Sequence, residues 1–231
     1  MTTIIAIETS SELASAALLR GNQVIAREAS GVQTHSQSIL PMVQALLKQA
    51  GITLAQCDAV AFGAGPGSFT GVRTACGVAQ GLAFGADLPV VPVVTLLAMA
   101  QACREASGAS DVLVVMDARM AEVYWAQYRY GNGSGWQTIV EPTLSAASAV
   151  SPIGNVVACG NGLSAYPSAF EKLPPAQDWK PTVMPHAAQV AQLASIELAA
   201  GKSVAPRDAQ PIYLRNKVAL TTVERMAKVA V

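Results

Sequence analysis

The chain has 231 residues, room for one large domain or two small ones. Lysine plus arginine number 15 and aspartate plus glutamate 15, so the net charge is zero, which argues against a stand-alone nucleic-acid binder carrying a basic face. Hydrophobic residues make up 52% and charged residues only 13%, and no run of about eighteen unbroken apolar residues occurs; the apolar excess belongs to a core and to a surface that a partner covers, not to a membrane span.

Cys57, Cys76, Cys103 and Cys159 are widely spaced and form no C-x-x-C, and the start MTTIIAIETS lacks a basic segment followed by an apolar run and a cleavage site. A cytoplasmic chain with free thiols is expected. His35 and His186 lie far apart, and neither has a second histidine at helical spacing, so a metal held by protein ligands alone is not expected.

In chain order, Thr3–Ile7 is β-branched and apolar, and Glu8-Thr9-Ser10-Ser11 breaks it. Leu13–Leu19 and Gln23–Ala29 read as two further strands joined by a hairpin turn at Gly21-Asn22. A helix follows over Ser36–Ala50, stopped by Gly51, with Pro41 placed in its first turns if it starts near Gln37 or Ser38. Its apolar residues Ile39, Leu40, Met42, Val43, Leu46, Leu47 and Ala50 cover nearly half the circumference, wider than one sheet contact needs.

The next stretch, AVAFGAGPGSFTGVRTACGVAQGLAFGADLPVVPV at Ala59–Val93, reads as strand, glycine turn, helix, turn and strand. Ser68 or Thr70 supplies a hydroxyl cap to the helix, and Gly85 stands where a left-handed C-terminal residue is expected. Val72, Ala75, Ala79, Leu82 and Ala83 share the face that suits a sheet. The opposite face carries Thr74, Gly77, Gly81 and Gly85, with Val78 at its edge. Interior glycines cost about 1 kcal/mol each against alanine, and a row of them lets a second helix approach unusually close. That second helix belongs either to the same domain or to another molecule, and the spacing is compatible with both.

The glycine turn fails both nucleotide templates. No lysine lies between Gly63 and Gly85, so there is no Walker loop, and Gly65-Pro66-Gly67 lacks the third glycine of a dinucleotide loop in register. An anion meeting the helix start would find Ser68, Thr70 and Arg73, a reading ranked below a purely structural turn; Arg73 is either an anion contact there or an exposed residue stacking on Phe69.

A strand near Val90–Val94 and a helix over Thr95–Ala106 complete the order β-β-β-α-β-α-β-α, and Ser107-Gly108-Ala109-Ser110 is a plausible boundary between 1–107 and 108–231. The pattern then restarts. Val112–Met116 is a buried strand broken by Asp117-Ala118-Arg119, Glu122–Tyr130 alternates, and Trp136–Glu141 pairs back. A short helix near Leu144–Val150, a strand Val156–Cys159, a helical piece Leu163–Lys172, a proline-rich loop Leu173–Pro185 and a helix Ala187–Ala200 follow. The fold expected is α/β: a duplicated actin-like (ASKHA, ribonuclease-H-like) architecture, each half built on a mixed sheet of the five-stranded type, an analogy that fixes no function.

GPGSFTGVR at Gly65–Arg73, DARMAEVYWAQY at Asp117–Tyr128 and PIYLRNKVA at Pro211–Ala219 closely resemble the bacterial TsaB (YeaZ) family, and the likeness runs the length of the chain. The resemblance implies a non-catalytic subunit that binds and activates the catalytic paralogue TsaD and, with TsaE, serves to place threonylcarbamoyl on N6 of the adenosine beside the tRNA anticodon. It implies a homodimer in isolation, contact with tRNA only through the complex, no cofactor of its own, and ATP or ADP at the TsaB–TsaD seam. It places the partner surface on the first two helices, which assigns Ile39, Met42, Val43, Leu46, Thr74, Gly77, Val78 and Gly81 to the interface. The catalytic paralogue carries H-x-x-x-H at the first helix; here His35 is followed four residues on by Ile39, and one imidazole does not hold a metal. The competing reading is an independent ATPase or glycopeptidase-like metallopeptidase using Glu8, His35 and Asp117. A direct tRNA-binding module is a third, with Tyr213, Arg215 and Lys217 too few to make a nucleic-acid surface. For Glu8, Asp117 and Arg119, loop hydrogen bonding and an Asp–Arg pair is the reading taken over a residual active site.

Overall fold

The computed structural model describes residues 1–29, 35–171 and 179–215. Strands β1 (Thr3–Glu8), β2 (Ala14–Arg20) and β3 (Gln23–Ala29) form an antiparallel meander. Helix α1 (His35–Ala50), β4 (Ala59–Gly65), α2 (Phe69–Ala86), β5 (Val90–Val94) and α3 (Thr95–Ser107) follow. Strands β4 and β5 join β1 in parallel, giving a five-stranded sheet of order β3-β2-β1-β4-β5. The second half repeats the plan with β6 (Asp111–Asp117), β7 (Glu122–Gly131), β8 (Gly135–Ala146) and β9 (Val157–Cys159), followed by the short α4 (Gly162–Ala165) and by α5 (Ala187–Ala199). Its order is β8-β7-β6-β9, again a meander with a parallel strand added. The duplicated actin-like layout is present, but the second sheet has four strands among the described residues rather than five.

Both faces of the first sheet are covered, which is why β1 and β4 are buried at every position. Ile5, Ile7, Leu18, Val60 and Phe62 pack under α1 and α2. On the other face Ile4, Ala6, Ala17, Ala59, Ala61, Val91 and Val93 pack under Ala187, Val190, Ala191, Leu193 and Ala194 of α5. The division between 107 and 108 therefore separates the two sheets but not the packing, because α5 returns from the far end of the chain to the first sheet. Helix α3 lies over the second sheet, with Leu96, Met99, Ala100 and Cys103 against Val112, Val114, Tyr124 and Tyr128.

Several boundaries moved. Helix α1 starts at His35, ahead of the Gln37 or Ser38 start considered for Pro41, which sits in its second turn. Helix α2 runs past Gly85 to Ala86, and Asp87 takes the left-handed cap conformation, φ 54°, expected of Gly85. Strand β8 extends to Ala146 because it pairs with β7 through two irregularities, leaving only a turn of 3-10 helix where a short helix over Leu144–Val150 was expected. The helical piece after Cys159 is two short turns; Lys172, Leu173 to Gln177, and Lys217 lie outside the described residues.

Candidate functional site

Two features converge at the N-terminus of α2: a cleft between the sheets and an exposed helix face. The turn from β4 into α2 is pressed against the β1–β2 loop. Thr9 Oγ1 donates to the Gly71 carbonyl at 2.7 Å and Ser10 O accepts from Ser68 N–H at 2.8 Å. A Cβ at Gly71 would collide with the Thr9 carbonyl, so the glycine here is a requirement of close approach. Ser68 caps the helix, its hydroxyl accepting from Gly71 N–H at 3.4 Å.

Glu8 lies beneath this turn, fully buried, accepting from Ser10 N–H at 2.5 Å and from Thr95 Oγ1 at 3.4 Å. Burial raises its pKa, opposed by hydrogen bonds from Ser10, Thr95 and Thr9. Thr95 in turn accepts from Gly65 N–H at 3.0 Å. The carboxylate thus ties together the ends of β1 and β4 and the start of α3, and it does not line the cleft.

The cleft holds a cavity of about 610 Å³ between Ser10, Ser11 and Glu12 on one side and Asp117, Arg119 and Met120 on the other. Asp117 accepts from Tyr166 OH at 2.8 Å and from Arg119 N–H at 2.8 Å. Arg119 also reaches across to Glu12 at 3.3 Å, an exposed pair. Its charge is thus shared by two carboxylates, which leaves no strong field for an anion. Arg119, Met120 and Ala121 all have positive φ, 66°, 58° and 62°, so the β6–β7 turn is strained by roughly 1–2 kcal/mol per residue.

His35 Nε2 lies 3.3 Å from the Glu12 carbonyl, and Ile39, one turn on, is buried in the core. These donors do not fit a divalent ion, and no group of three or more metal-ligand side chains is gathered among the described residues. Ser68 lines the cavity, but Thr70 and Arg73 do not, so the three anion contacts expected from sequence are not brought together. Arg73 instead lies 3.5 Å over the Phe69 ring and donates from Nε to Tyr213 OH at 2.7 Å, the stacking alternative of its two readings, closed by Tyr213.

The exposed face of α2 is the second feature. Nothing lies within 4 Å of a Cβ built on Gly77, Gly81 or Gly85. Among the described residues, no second helix lies on this row. Thr74 and Val78 border the strip, half-buried. Ile39, Met42, Val43 and Leu46, assigned to the same surface, are buried against the first sheet and α2; they are core residues and do not line it. From α1 it is Leu40 that faces out, at 44% exposure, and on α2 Phe84 stands at 82%, the residue that sequence reasoning missed. Phe84 falls on the Gly77–Gly81 stripe three residues further along, and extending the spacing by one turn finds it.

The sequence decides the family. Over residues 20–207 the chain matches the TsaD family, tRNA N6-adenosine threonylcarbamoyltransferase. It is 41% identical over 227 residues to the tRNA threonylcarbamoyladenosine biosynthesis protein TsaB of Haemophilus influenzae, covering 94% of each chain. The chain belongs to the TsaB (YeaZ) family. The TsaB of Escherichia coli is 39% identical over 94% of this chain and 96% of its own. YeaZ from Pseudomonas aeruginosa superposes with a TM-score of 0.85 at 37% identity, over 93% of this chain and all of that one. As a TsaB family member, the chain has the two-sheet fold of its solved relative, and among its described residues no helix is long and apolar enough to cross a membrane.

Proposed function

We propose that this chain is the non-catalytic partner subunit of tRNA threonylcarbamoyladenosine synthesis, which docks on and activates a TsaD-type catalytic paralogue, with TsaE completing the machinery in the cytoplasm. The observation that carries the reading is the bare strip on α2: Gly77, Gly81 and Gly85 face open space beside a nearly naked Phe84. Three glycines in one exposed helix each cost stability and meet no packing partner among the described residues, so their use lies in contact with another helix. An exposed aromatic at the end of such a strip is the type of residue that anchors interfaces. In isolation the same face pairs with a second copy, since a single helix face is self-complementary across a two-fold axis.

The non-catalytic part of the reading is supported by Ile39, whose side chain in the core occupies the place of a second histidine, and by Glu8, buried as a structural tie rather than presented to the cleft. ATP or ADP belongs at the seam between subunits, and tRNA is met only by the complex.

The test is co-purification with the TsaD protein of the same genome, with and without ATP and TsaE. Wild type is expected to form the complex, and Gly77→Leu and Gly81→Leu to remain folded by circular dichroism and fail to form it. Complex formation unchanged in both variants overturns the docking assignment. Turnover of ATP, or of a peptide substrate with divalent metal, by the purified chain alone would favour the ATPase or peptidase reading.

A further inference from the structure

Residues 209–215 run from the flank of α2 across the cleft to the second sheet, touching first one half and then the other. The Ala209 carbonyl accepts from Gln80 Nε2 at 3.0 Å and from Cys76 Sγ at 3.5 Å. Ile212 packs on the first core while its N–H donates to the Ala64 carbonyl at 2.7 Å. Tyr213 accepts from Arg73, whose position on α2 falls on the same stripe as Gly77. Leu214 packs on the core under the second sheet. Arg215, only 14% exposed, pairs with Glu122 at 2.7 Å and donates to the Ala118 carbonyl at 3.0 Å.

Arg215 therefore reaches the strained β6–β7 turn. A run of three left-handed residues persists only where its surroundings over-determine it. The props include Ala118 N–H to the Glu122 carbonyl, Glu122 N–H to the Arg119 carbonyl, Ala147 N–H to the Ala121 carbonyl, Arg119 paired with Asp117 and Glu12, and three contacts of Arg215, to Glu122, to the Ala118 carbonyl and to Met120 Sδ at 3.2 Å. Arg215 is the one prop that also belongs to the strap against α2.

We propose that residues 209–215 are a coupling strap, through which the conformation of the β6–β7 turn across the cleft sets the affinity of the α2 face for its partner, with Arg215 the positioning residue. The proposal rests on the docking role of α2. Arg215 acts through Tyr213 and Arg73, and touches the strip itself nowhere. Coupling between two sites is reciprocal, so a partner seated on α2 must also quiet the distant turn.

The test measures two quantities on the full chain with the same-genome TsaD protein: the dissociation constant, and amide hydrogen exchange at residues 118–122 with and without partner. In wild type, binding is expected to slow exchange at 118–122 at least fivefold. Arg215→Ala is expected to weaken binding at least fivefold and to abolish that protection, and Arg215→Lys to restore part of both. Tyr213→Phe keeps the ring and removes the acceptor for Arg73; it is expected to weaken binding several-fold in a chain whose fold is undisturbed. Wild-type affinity in both Arg215→Ala and Tyr213→Phe, or a complex that leaves residues 118–122 unprotected, overturns the strap and leaves docking intact. Gly77→Leu binding as well as wild type overturns docking, and the strap with it.

Discussion

Glu8, fully buried, and His186, half-buried, have environments that make opposite demands on pH. Burial raises the Glu8 pKa above the ordinary 4.5, so the folded chain holds this proton more tightly than the unfolded one. Its contribution to stability is full below 4.5 and is lost as pH rises through the folded value. Glu8→Gln keeps an acceptor for Ser10 N–H and carries no charge to desolvate. Urea unfolding is therefore expected to find Glu8→Gln gaining on wild type between pH 5 and pH 8, whereas Glu8→Ala, which strands Ser10 N–H, loses about 1–3 kcal/mol at both. For His186 the sign reverses. Burial lowers its pKa below 6.5, with Glu28 opposing, and the neutral ring caps α5 by accepting from Ala188 N–H at 3.1 Å. Below 6.5 the unfolded chain takes up the proton more readily, so stability falls as pH drops from there through the folded value. His186→Asn keeps a capping acceptor and does not titrate; its melting temperature is expected to change less than that of wild type between pH 7 and pH 5.5.

Helix α2 holds two kinds of glycine that look alike in a sequence. At Gly77 an added Cβ meets nothing, so Gly77→Ala is expected to stabilise the isolated chain by about 1 kcal/mol through helix propensity. At Gly71 the same atom meets the Thr9 carbonyl, so Gly71→Ala is expected to destabilise it by more than that gain. Denaturant midpoints of the two variants, taken at concentrations dilute enough to keep the chain monomeric, check both signs; a loss at Gly77 would mean that the strip is filled from within. The two faces of α2 were legible because helical spacing alone assigns Val72, Ala75, Ala79 and Ala83 to the sheet and the glycines away from it. Which third of the α1 arc faces outward was not legible. Periodicity gives the width of an apolar arc but not the number of elements absorbing it, and here the sheet and α2 absorb Ile39, Met42, Val43 and Leu46 and leave only Leu40 outside. The length of β8 was hidden for a related reason: Leu144 to Ala146 have no strand pattern of their own and are held by pairing with Glu122–Tyr124. Arg73 on Phe69 was readable from four-residue spacing, whereas Tyr213, 140 positions away, was not.

The joining of the two halves determines how the molecule comes apart. The Arg119–Glu12 pair across the cleft is exposed and adds little. The stronger tie is α5, which belongs to the second half by sequence and to the first sheet by packing. Val190 and Leu193 are buried there, each contributing about 1.5–3 kcal/mol, and without them the lower face of β1, β2, β4 and β5 meets water. Trp136 on β8 completes the link, packing on the cores under both sheets and donating to Gln101 of α3 at 2.8 Å. Two halves that share a helix and a tryptophan cannot lose structure separately. The chain is therefore expected to unfold in one transition, with far-ultraviolet circular dichroism and the fluorescence of Trp125, Trp136 and Trp179 changing at the same denaturant concentration. A fragment 1–110, which holds all of the first sheet but none of α5, is expected to lose cooperative unfolding and to expose apolar surface to a hydrophobic dye. Two separated transitions in the full chain, or a cooperatively folded 1–110, would mean that the return of α5 decorates the first half instead of completing it. A strap running between independently stable halves would then have little leverage on α2, because each half could open without straining the other.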